Sequence, residues 1–363
     1  MTLSSTNTGK KTCEKEQLLI TGYDKNKRYT SLLDNKETEK AIKLVKDAFI
    51  TSLEKKLNLL KVAAPLAVRE GEGINDDLSG NEQPVRFSVK HINTKASIVQ
   101  SLAKWKRIRL SNLRMEAGEG IWTDMKALRP DEILSPIHSV LVDQWDWEKC
   151  ISPSQKNLNF LKTHVECIYD SLKYAESAVC SEYKQIKPFL PPFLKFIHSE
   201  ELFEMYPEST PKERENEIAS KYGAVFIIGI GSKLGDGHPH DLRAPDYDDW
   251  STLTVNSFKG LNGDIIVYNP VTKSAFEISS MGIRVDAIAL KKQLEISNCT
   301  ERMKLNYHRM LAKGELPSCI GGGIGQSRVC MLLLRKAHIG EVQAGVWPKE
   351  IILEYAERGI ELI

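Results

Sequence analysis

The spacing of apolar residues along the chain predicts three helices. In two long segments these residues recur three and four positions apart, which places them on one face of a helix. In the first segment they are Ala41, Ile42, Val45, Phe49, Leu53 and Leu57. In the second they are Leu158, Leu161, Val165, Ile168, Leu172, Ala175 and Val179, followed by a proline-rich turn. A final helix is predicted over residues 326–335.

Runs of β-branched and aromatic residues predict a sheet. The predicted strands cover residues 59–62, 139–147, 224–230, 263–268 and 275–280. Because helices segregate from runs of adjacent strands, the expected fold class is α+β, with a mixed, mainly antiparallel sheet flanked by helices. Residues 1–33 are polar and carry few apolar side chains, so we expect a flexible extension there. Residues 34–363 are expected to form a single domain.

Composition argues against two classes of partner. The longest apolar run covers residues 224–230, far short of the ~20 residues that cross a bilayer, so we expect no membrane partner. Fifty Lys and Arg against 48 Asp and Glu give a formal net charge of +2. Proteins that bind phosphate backbones usually carry a larger basic excess, so nucleic acid is not expected. Seven widely spaced cysteines without a CxxC motif indicate a reduced, intracellular protein.

Residues 262–280 are expected to form a β-hairpin, because an Asn-Pro dipeptide opens a turn between two β-rich runs. A loop at residues 269–272 would place Asp264 directly opposite Glu277. Two such carboxylates repel each other unless a cation or a shared proton lies between them, and oxygen ligands on rigid strands suit Mg²⁺ bound to nucleotide phosphates. A register shift of one residue would separate them, and this alternative stays open.

A second candidate site lies on the strand at residues 139–147. Val142, Gln144 and Asp146 alternate along one face, while Trp145 and Trp147 take the other. A carboxylate and an amide among apolar residues need polar partners, which makes Asp146 a candidate holder of an ammonium group. The alternative is that both side chains are merely solvated.

Four glycines at positions 321, 322, 323 and 325 precede an apolar helix. They would let the backbone approach a ligand closely, and Arg328 begins the helix where a phosphate or carboxylate could lie. Ordinary helix–sheet packing explains the same glycines, so alone they are a weak signal. A zinc site at His238, His240 and Asp241 is disfavoured because Pro239 interrupts the triplet and the sequence shows no clear set of residues that would orient these ligands.

Seven motifs taken together resemble one family. They are GINDDLSG at 73–80, SLAKWKR at 101–107, KALRPDE at 126–132, VDQWDW at 142–147, RAPDYDDW at 243–250, GLNGD at 260–264 and GGGIGQSR at 321–328. In this combination the chain resembles the ammonia-dependent asparagine synthetases, or aspartate-ammonia ligases, over about residues 31–350. Gln100 departs from the family at a position where a His often precedes the second motif, so no argument rests on an imidazole there.

The resemblance implies a class II aminoacyl-tRNA synthetase-like catalytic core working as a cytoplasmic homodimer. Arg129 would meet the ATP α-phosphate, Arg328 would meet the nucleotide, and Asp76 is the hypothetical base. The aspartate pocket would be lined by Ser101, Lys106, Gln144, Asp146 and Ser280. ATP would contact Arg243, Asp248, Ile278, Ser279 and Gly325. Asp264 and Glu277 match carboxylates near Mg-ATP, which makes Mg²⁺ the expected cofactor.

The implied reaction joins L-aspartate and ammonia to give L-asparagine through a β-aspartyl-adenylate, with release of AMP and pyrophosphate. Glutamine as nitrogen donor would require a nucleophilic cysteine in its own domain. Thr2 follows Met1 and the sequence carries no amidotransferase signature, so ammonia is the expected donor. Two alternatives stay open: an aspartyl-tRNA synthetase-like enzyme and a non-catalytic paralogue that binds amino acids.

Overall fold

The computed structural model of the protein describes residues 29–76 and 82–363. Most of the extension predicted over residues 1–33, and the second half of the 73–80 motif, lie outside the described residues. Within them, Leu33 is already buried in the hydrophobic core. The Ser31 hydroxyl accepts a hydrogen bond of 2.7 Å from Lys336 Nζ.

The described strands form an eight-stranded sheet and a three-stranded sheet. They are β1 Leu59–Lys61, β2 Ala67–Arg69, β3 Arg86–Val89, β4 Thr94–Ile98, β5 Gly120–Leu128, β6 Leu141–Cys150, β7 Lys195–His198, β8 Ala224–Ile228, β9 Asn262–Asn269, β10 Ser274–Ile283 and β11 Cys319–Gly325. The large sheet has the order β1-β5-β6-β11-β10-β9-β8-β7, and the small one has the order β2-β4-β3. Only the outer pairs β1–β5 and β7–β8 of the large sheet are parallel, which confirms the mainly antiparallel α+β prediction.

The α-helices of the described residues flank the large sheet and connect its strands. They are α1 Asn35–Leu57, α2 Ala103–Asn112, α3 Leu158–Glu182, α4 Ser199–Met205, α5 Pro211–Tyr222, α6 Ala287–Ile296, α7 Asn306–Ala312, α8 Gln326–Leu333 and α9 Lys349–Glu357. The predictions of α1, α3 and α8 are confirmed. Six other helices of the described residues were not predicted: α2, α4, α5, α6, α7 and α9. Every helix in this part of the chain is too short or too polar to cross a bilayer.

One face of the large sheet packs against α1, α3 and α8. Trp145 and Trp147 of β6 point toward these helices, and the Phe49 and Trp145 rings stack with centroids 4.4 Å apart. The helix α1 begins at a capping box, in which the Asp34 side chain accepts from the Glu37 backbone N–H and Glu37 accepts from Asp34 in return. The largest hydrophobic cluster therefore occupies one side of the sheet. On the other side a smaller cluster covers the strands near β8, and the middle strands carry polar residues.

The predicted register of the β9–β10 hairpin is wrong. Asn269 pairs with Ser274, so the loop covers residues 270–273, one position later than predicted. In this loop the Asn269 side chain accepts the Val271 backbone N–H, and Lys273 adopts a left-handed conformation. A bulge at Ile278 then shifts the pairing further. Asp264 consequently lies opposite Ser280, while Glu277 lies opposite Ile266.

Candidate active site

A single row of paired residues crosses four strands on the polar face of the sheet. Asp146 of β6 pairs with Gly323 of β11, Gly323 pairs with Ser280 of β10, and Ser280 pairs with Asp264 of β9. Paired residues in neighbouring strands share a face, so these positions lie on the same side of the sheet. With strands ~4.8 Å apart, the backbones of Asp146 and Asp264 are ~14 Å apart. The row is long enough for an amino acid at one end and nucleotide phosphates at the other.

The glycines of β11 leave room for the polar side chains of β6. Gly323 lies under Gln144, and a Cβ atom added to Gly323 would overlap with the Gln144 carboxamide. A Cβ atom on Gly321 would likewise overlap with the Glu148 carboxylate. The predicted face assignment of Gln144 and Asp146 is therefore confirmed, and the glycine-rich motif serves as the floor of the site.

At the β6 end of the row, Lys106 of α2 is fully buried between two carboxylates. Its ammonium group contacts Asp146, lies 3.5 Å from Glu148 Oε2 and donates to the Trp147 carbonyl oxygen at 2.8 Å. Burial raises the pKa of Asp146, and the positive charge of Lys106 opposes that shift. Lys106 and Asp146, predicted as members of one pocket, are thus direct partners in this structure.

Glu148 was missed by the sequence analysis, although it continues the alternation of Gln144 and Asp146 along β6. Arg284 donates to both Glu148 carboxylate oxygens at 2.8 Å and also contacts Asp248. Burial alone would raise the pKa of Glu148, but Arg284 and Lys106 hold it below its ordinary value. Arg284 therefore connects Glu148, next to the predicted pocket, with Asp248 in the 243–250 segment.

At the β9 end of the row, Arg243 connects the predicted aspartate pocket to the predicted metal carboxylates. Its Nη2 atom contacts the Asp264 carboxylate and donates to Ser280 Oγ at 2.7 Å. Its Nε atom lies 3.9 Å from Asp248 Oδ2. The structure therefore brings together four of the residues that the family resemblance implied: Arg243, Asp248, Asp264 and Ser280.

Asp264 and Glu277 lie on the same face as diagonal neighbours. Glu277 pairs with Ile266, and Ile266 is two residues from Asp264 on β9. Burial, with a smaller contribution from Glu277, raises the pKa of Asp264 to about 7 against the opposing charge of Arg243. Burial would also raise the pKa of Glu277, but Arg328 and other nearby cations hold it below its ordinary value.

These two carboxylates fit a divalent cation only as part of its ligand set. The described residues contain no cluster of three or more His, Cys, Asp or Glu side chains arranged to hold a metal ion. Two carboxylate oxygens together with phosphate oxygens are, however, a donor set that Mg²⁺ accepts. The repulsion between Asp264 and Glu277 is consistent with a site that gains from an added cation.

Arg328, at the start of α8, lies beside Glu277. Its Nη1 atom donates to the Glu277 carbonyl oxygen at 3.1 Å and lies 3.5 Å from the carboxylate Oε2. Burial is the main reason why the pKa of His138 is lowered to about 3, and the positive charges of Arg328 and Arg129 contribute to the same shift. The sequence analysis missed His138, because a single His in a loop gave no pattern.

The remaining predicted residues lie outside the row and contact neighbouring backbone or side-chain groups. Ser101 lies just before α2, where its hydroxyl accepts the Ala103 backbone N–H at 3.2 Å. Arg129 follows β5, and its Nη2 atom donates to the Gln100 carbonyl oxygen at 3.4 Å. Asp76 is 3% exposed, and its backbone N–H donates to the Asn75 side chain. Gly325 pairs with Gln144 at the end of β11.

Two predicted ATP contacts have side chains on the wrong side of the sheet. Ile278 belongs to the hydrophobic core, and Ser279 pairs with the core residue Ile265. The bulge at Ile278 turns both toward the helices. Only main-chain groups of these residues can meet a nucleotide on the polar face.

The histidines of the 237–241 loop, where a zinc site was disfavoured, make contacts within the protein. His240 is buried, and its Nε2 atom lies 3.2 Å from Glu215 Oε1 on α5. The His238 backbone N–H donates to the Asp236 side chain in a local turn.

Comparison with solved structures defines the class of fold. The asparaginyl-tRNA synthetase from Pyrococcus horikoshii, solved as a complex with asparaginyl-adenylate, matches with a TM-score of 0.63 and 16% sequence identity. The match covers 86% of this chain and 70% of that chain. An asparaginyl-tRNA synthetase from Entamoeba histolytica matches with a TM-score of 0.60 at 15% identity, over 85% and 67% of the two chains. The fold is that of the class II aminoacyl-tRNA synthetase core.

Sequence comparison then identifies the family. The family model for aspartate-ammonia ligase matches residues 36–359. The aspartate-ammonia ligase of Parabacteroides distasonis is 52% identical over 336 residues, covering 92% of this chain and 97% of the relative. That of Clostridium perfringens strain SM101 is 52% identical over 338 residues, covering 93% and 98%. The chain belongs to the aspartate-ammonia ligase family of enzymes, which confirms the resemblance found in the motifs.

Proposed function

We propose that the protein amidates L-aspartate with ammonia in an ATP-dependent reaction that passes through a β-aspartyl-adenylate and releases AMP and pyrophosphate. The observation that carries this proposal is the row from Asp146 through Gly323 and Ser280 to Asp264. It joins a buried Lys–Asp pair, suited to an amino acid zwitterion, to an arginine–carboxylate cluster suited to phosphates.

Aspartate is proposed to bind by exchanging partners with the Lys106–Asp146 pair. The α-ammonium group of aspartate would donate to the Asp146 carboxylate and to the Gln144 carboxamide oxygen. Lys106 would then pair with the α-carboxylate of aspartate. A buried charge is costly without a partner, so each protein charge that loses its partner must gain one from the substrate. Ser101 and Ser280 would complete the pocket with neutral hydroxyl groups.

Adenylation is proposed because a carboxylate does not react directly with ammonia. A β-carboxylate oxygen of aspartate would attack the α-phosphorus of ATP, and the bond to the bridging oxygen would break to release pyrophosphate. Arg129 and Arg328 would stabilise the negative charge that develops on the phosphate oxygens, each by ~3 kcal/mol. Asp264 and Glu277 would hold Mg²⁺, which neutralises phosphate charge when it is bound.

Ammonia would then attack the carbonyl carbon of the aspartyl group. The bond from that carbon to the phosphate oxygen breaks, AMP leaves, and the nitrogen loses one proton. Asp76 is proposed as the base that accepts this proton. Its position next to the Asn75 side chain, which also binds the Gln100 backbone, is consistent with a place near Arg129.

Product analysis tests the proposal. Purified protein with aspartate, ATP, Mg²⁺ and ammonium chloride is expected to form asparagine and AMP in equal amounts. Formation of ADP would contradict adenylation, and charging of tRNA with aspartate would favour the synthetase-like alternative. A protein that only binds amino acids would show no aspartate-dependent exchange of labelled pyrophosphate into ATP. The homodimer and the cytoplasmic location are also proposals, which sedimentation and cell fractionation would test.

A further inference from the structure

Gln100 stands out among the buried polar side chains near this site. The residue has no exposed surface, and neither Nε2 nor Oε1 has a hydrogen-bond partner within the described part of the chain. A buried amide without partners is destabilising, so such a group in a native protein requires an explanation. The predicted roles in the site do not include Gln100.

The backbone of Gln100 is held between two residues with proposed roles in the reaction. The Asn75 Oδ1 atom accepts the backbone N–H of Asp76 at 3.0 Å and the backbone N–H of Gln100 at 2.9 Å. The Gln100 carbonyl oxygen accepts Arg129 Nη2 at 3.4 Å. The Asn75 carboxamide nitrogen is itself fixed by Ser97 Oγ and the Ile98 carbonyl oxygen, each at 3.0 Å.

This placement corresponds to the reacting centre of the proposed amidation. Arg129 would hold the phosphate that leaves, and Asp76 would take the proton from the attacking nitrogen. The carbonyl carbon of the aspartyl group must therefore lie between the groups that these two residues bind. Gln100 is the neutral, buried donor and acceptor whose backbone is connected to both.

We propose that Gln100 positions ammonia for attack on the aspartyl-adenylate. Its Oε1 atom accepts an N–H of ammonia, while its Nε2 atom donates to the carbonyl oxygen of the aspartyl group. An amide presents its acceptor and its donor side by side, so one side chain can hold the two reactants at the separation of ~3–3.5 Å from which reaction occurs. This inference rests on the proposed function, because ammonia and the aspartyl group are the ligands it assigns.

The substitution Gln100→Met tests the inference because it keeps the length of the side chain and removes both polar atoms. The KM for ammonia is expected to rise about tenfold, the upper end of what one neutral hydrogen bond contributes. Aspartate-dependent pyrophosphate exchange needs no ammonia and loses only the Nε2 contact to the aspartyl group, so it is expected to fall less than amidation does. An unchanged KM for ammonia, or an equal loss in both reactions, would overturn the inference.

Thermal stability separates this role from a structural one. Because the Gln100 amide has no protein partner, Gln100→Met is expected to leave the unfolding midpoint unlowered. Gln343 is the matched control: it is buried, but its carboxamide bonds Ser139 Oγ at 2.7 Å and Ser327 Oγ at 3.0 Å. Gln343→Met is expected to lower the midpoint without a change in the KM for ammonia. A lowered midpoint for Gln100→Met with an unchanged KM for ammonia would assign Gln100 to structure.

The variant Gln100→His keeps the test decisive if the methionine variant does not fold. A neutral imidazole carries one donor and one acceptor, so it is expected to keep the KM for ammonia within about threefold of the parent at pH 8. An increase as large as that expected for the methionine variant would contradict the inference. If the parent protein itself releases no AMP, the proposed function fails, and that result is distinct from either outcome for Gln100.

Discussion

The ion pair between Lys106 and Asp146 gives the sharpest prediction about stability. Replacing Lys106 with Met keeps most of the side-chain volume but leaves Asp146 buried without its cation. Glu148 loses less, because Arg284 still donates to both of its carboxylate oxygens. Lys106 is 1% exposed and Asp146 is 4% exposed, so solvent cannot replace the missing charge.

The expected loss in the free energy of unfolding is about 3 kcal/mol at pH 8, the lower end of the range for breaking a buried pair. The loss should shrink as the pH falls. Burial already raises the pKa of Asp146, and removal of Lys106 removes the charge that opposes this shift. A carboxyl with a raised pKa in the folded state binds a proton that the unfolded chain has lost, so stability falls with rising pH by about 1.4 kcal/mol per unit.

Urea denaturation of the parent and of Lys106→Met, at pH 8 and at pH 5.5, measures both effects. The second substitution Asp146→Asn, added to Lys106→Met, should recover at least about 1 kcal/mol at pH 8, because it removes the stranded charge. Lys43→Met is the control: its pair with Asp47 is exposed and should contribute less than about 0.5 kcal/mol. A loss below about 1 kcal/mol for Lys106→Met, or one independent of pH, would refute the reasoning.

Four further predictions concern the chemistry. Gly323→Ala should raise the KM for aspartate at least about tenfold, because the added methyl group displaces Gln144. Gly235→Ala is the control and should leave this KM unchanged, because its methyl group meets only the Glu200 and Phe203 side chains. Equal KM values for the two variants would contradict this prediction. Asp264→Asn should raise the magnesium concentration needed for half-maximal pyrophosphate exchange, and unchanged turnover at limiting magnesium would remove Asp264 from the metal site. Asp76→Ala should slow amidation more than pyrophosphate exchange, and equal losses would reject its role as a base. Glutamine in ammonia-free buffer should support no asparagine formation, which amino acid analysis would check.

Hydrophobic periodicity was sufficient to predict α1, α3 and α8, the three helices that cover the largest core. Phe49 in α1 and Val165 in α3 lie on the predicted faces, because packing against the sheet requires the same 3.6-residue repeat that the sequence displays. The alternation along β6 likewise predicted the sides taken by Trp145 and Asp146. The helix α9 was not predicted, although its apolar residues favour one face, and none of its side chains is buried.

The hairpin register could not be predicted, because it depends on two local choices of conformation. Lys273 adopts a left-handed backbone conformation with a φ of 53°, which sequence preference would assign to Gly or Asn instead. The bulge then places Ile278 in the core, where burial of an isoleucine contributes about 2 kcal/mol. That gain depends on contacts with distant helices. The two carboxylates nevertheless share a face, because Glu277 is a diagonal neighbour of Asp264.

The contacts of Lys106 also lay beyond the sequence. The family resemblance placed Lys106 and Asp146 in one pocket, but motif spacing holds no information on whether two charged side chains meet each other or a ligand. Glu148 continues the alternation along β6, but nothing in the sequence connects it to Arg284, and only the fold brings these residues, 136 positions apart, into contact. Sequence reasoning thus proposed residues for one pocket, whereas their pairings became visible only in the fold.

The pairing of Lys106 with Asp146 has a consequence for selectivity under the proposed function. In this structure the two charges neutralise each other. A ligand with charge of only one sign could pair with one of them and would leave the other buried and unpaired. A zwitterion supplies an ammonium for Asp146 and a carboxylate for Lys106 at once, which offsets the energy of separating the pair. The pocket should therefore reject a dicarboxylate that lacks the α-amino group, even though such a compound carries the same reactive β-carboxylate. Selection by this means needs no steric exclusion, because the cost of the stranded Asp146 charge is paid only when the wrong ligand binds.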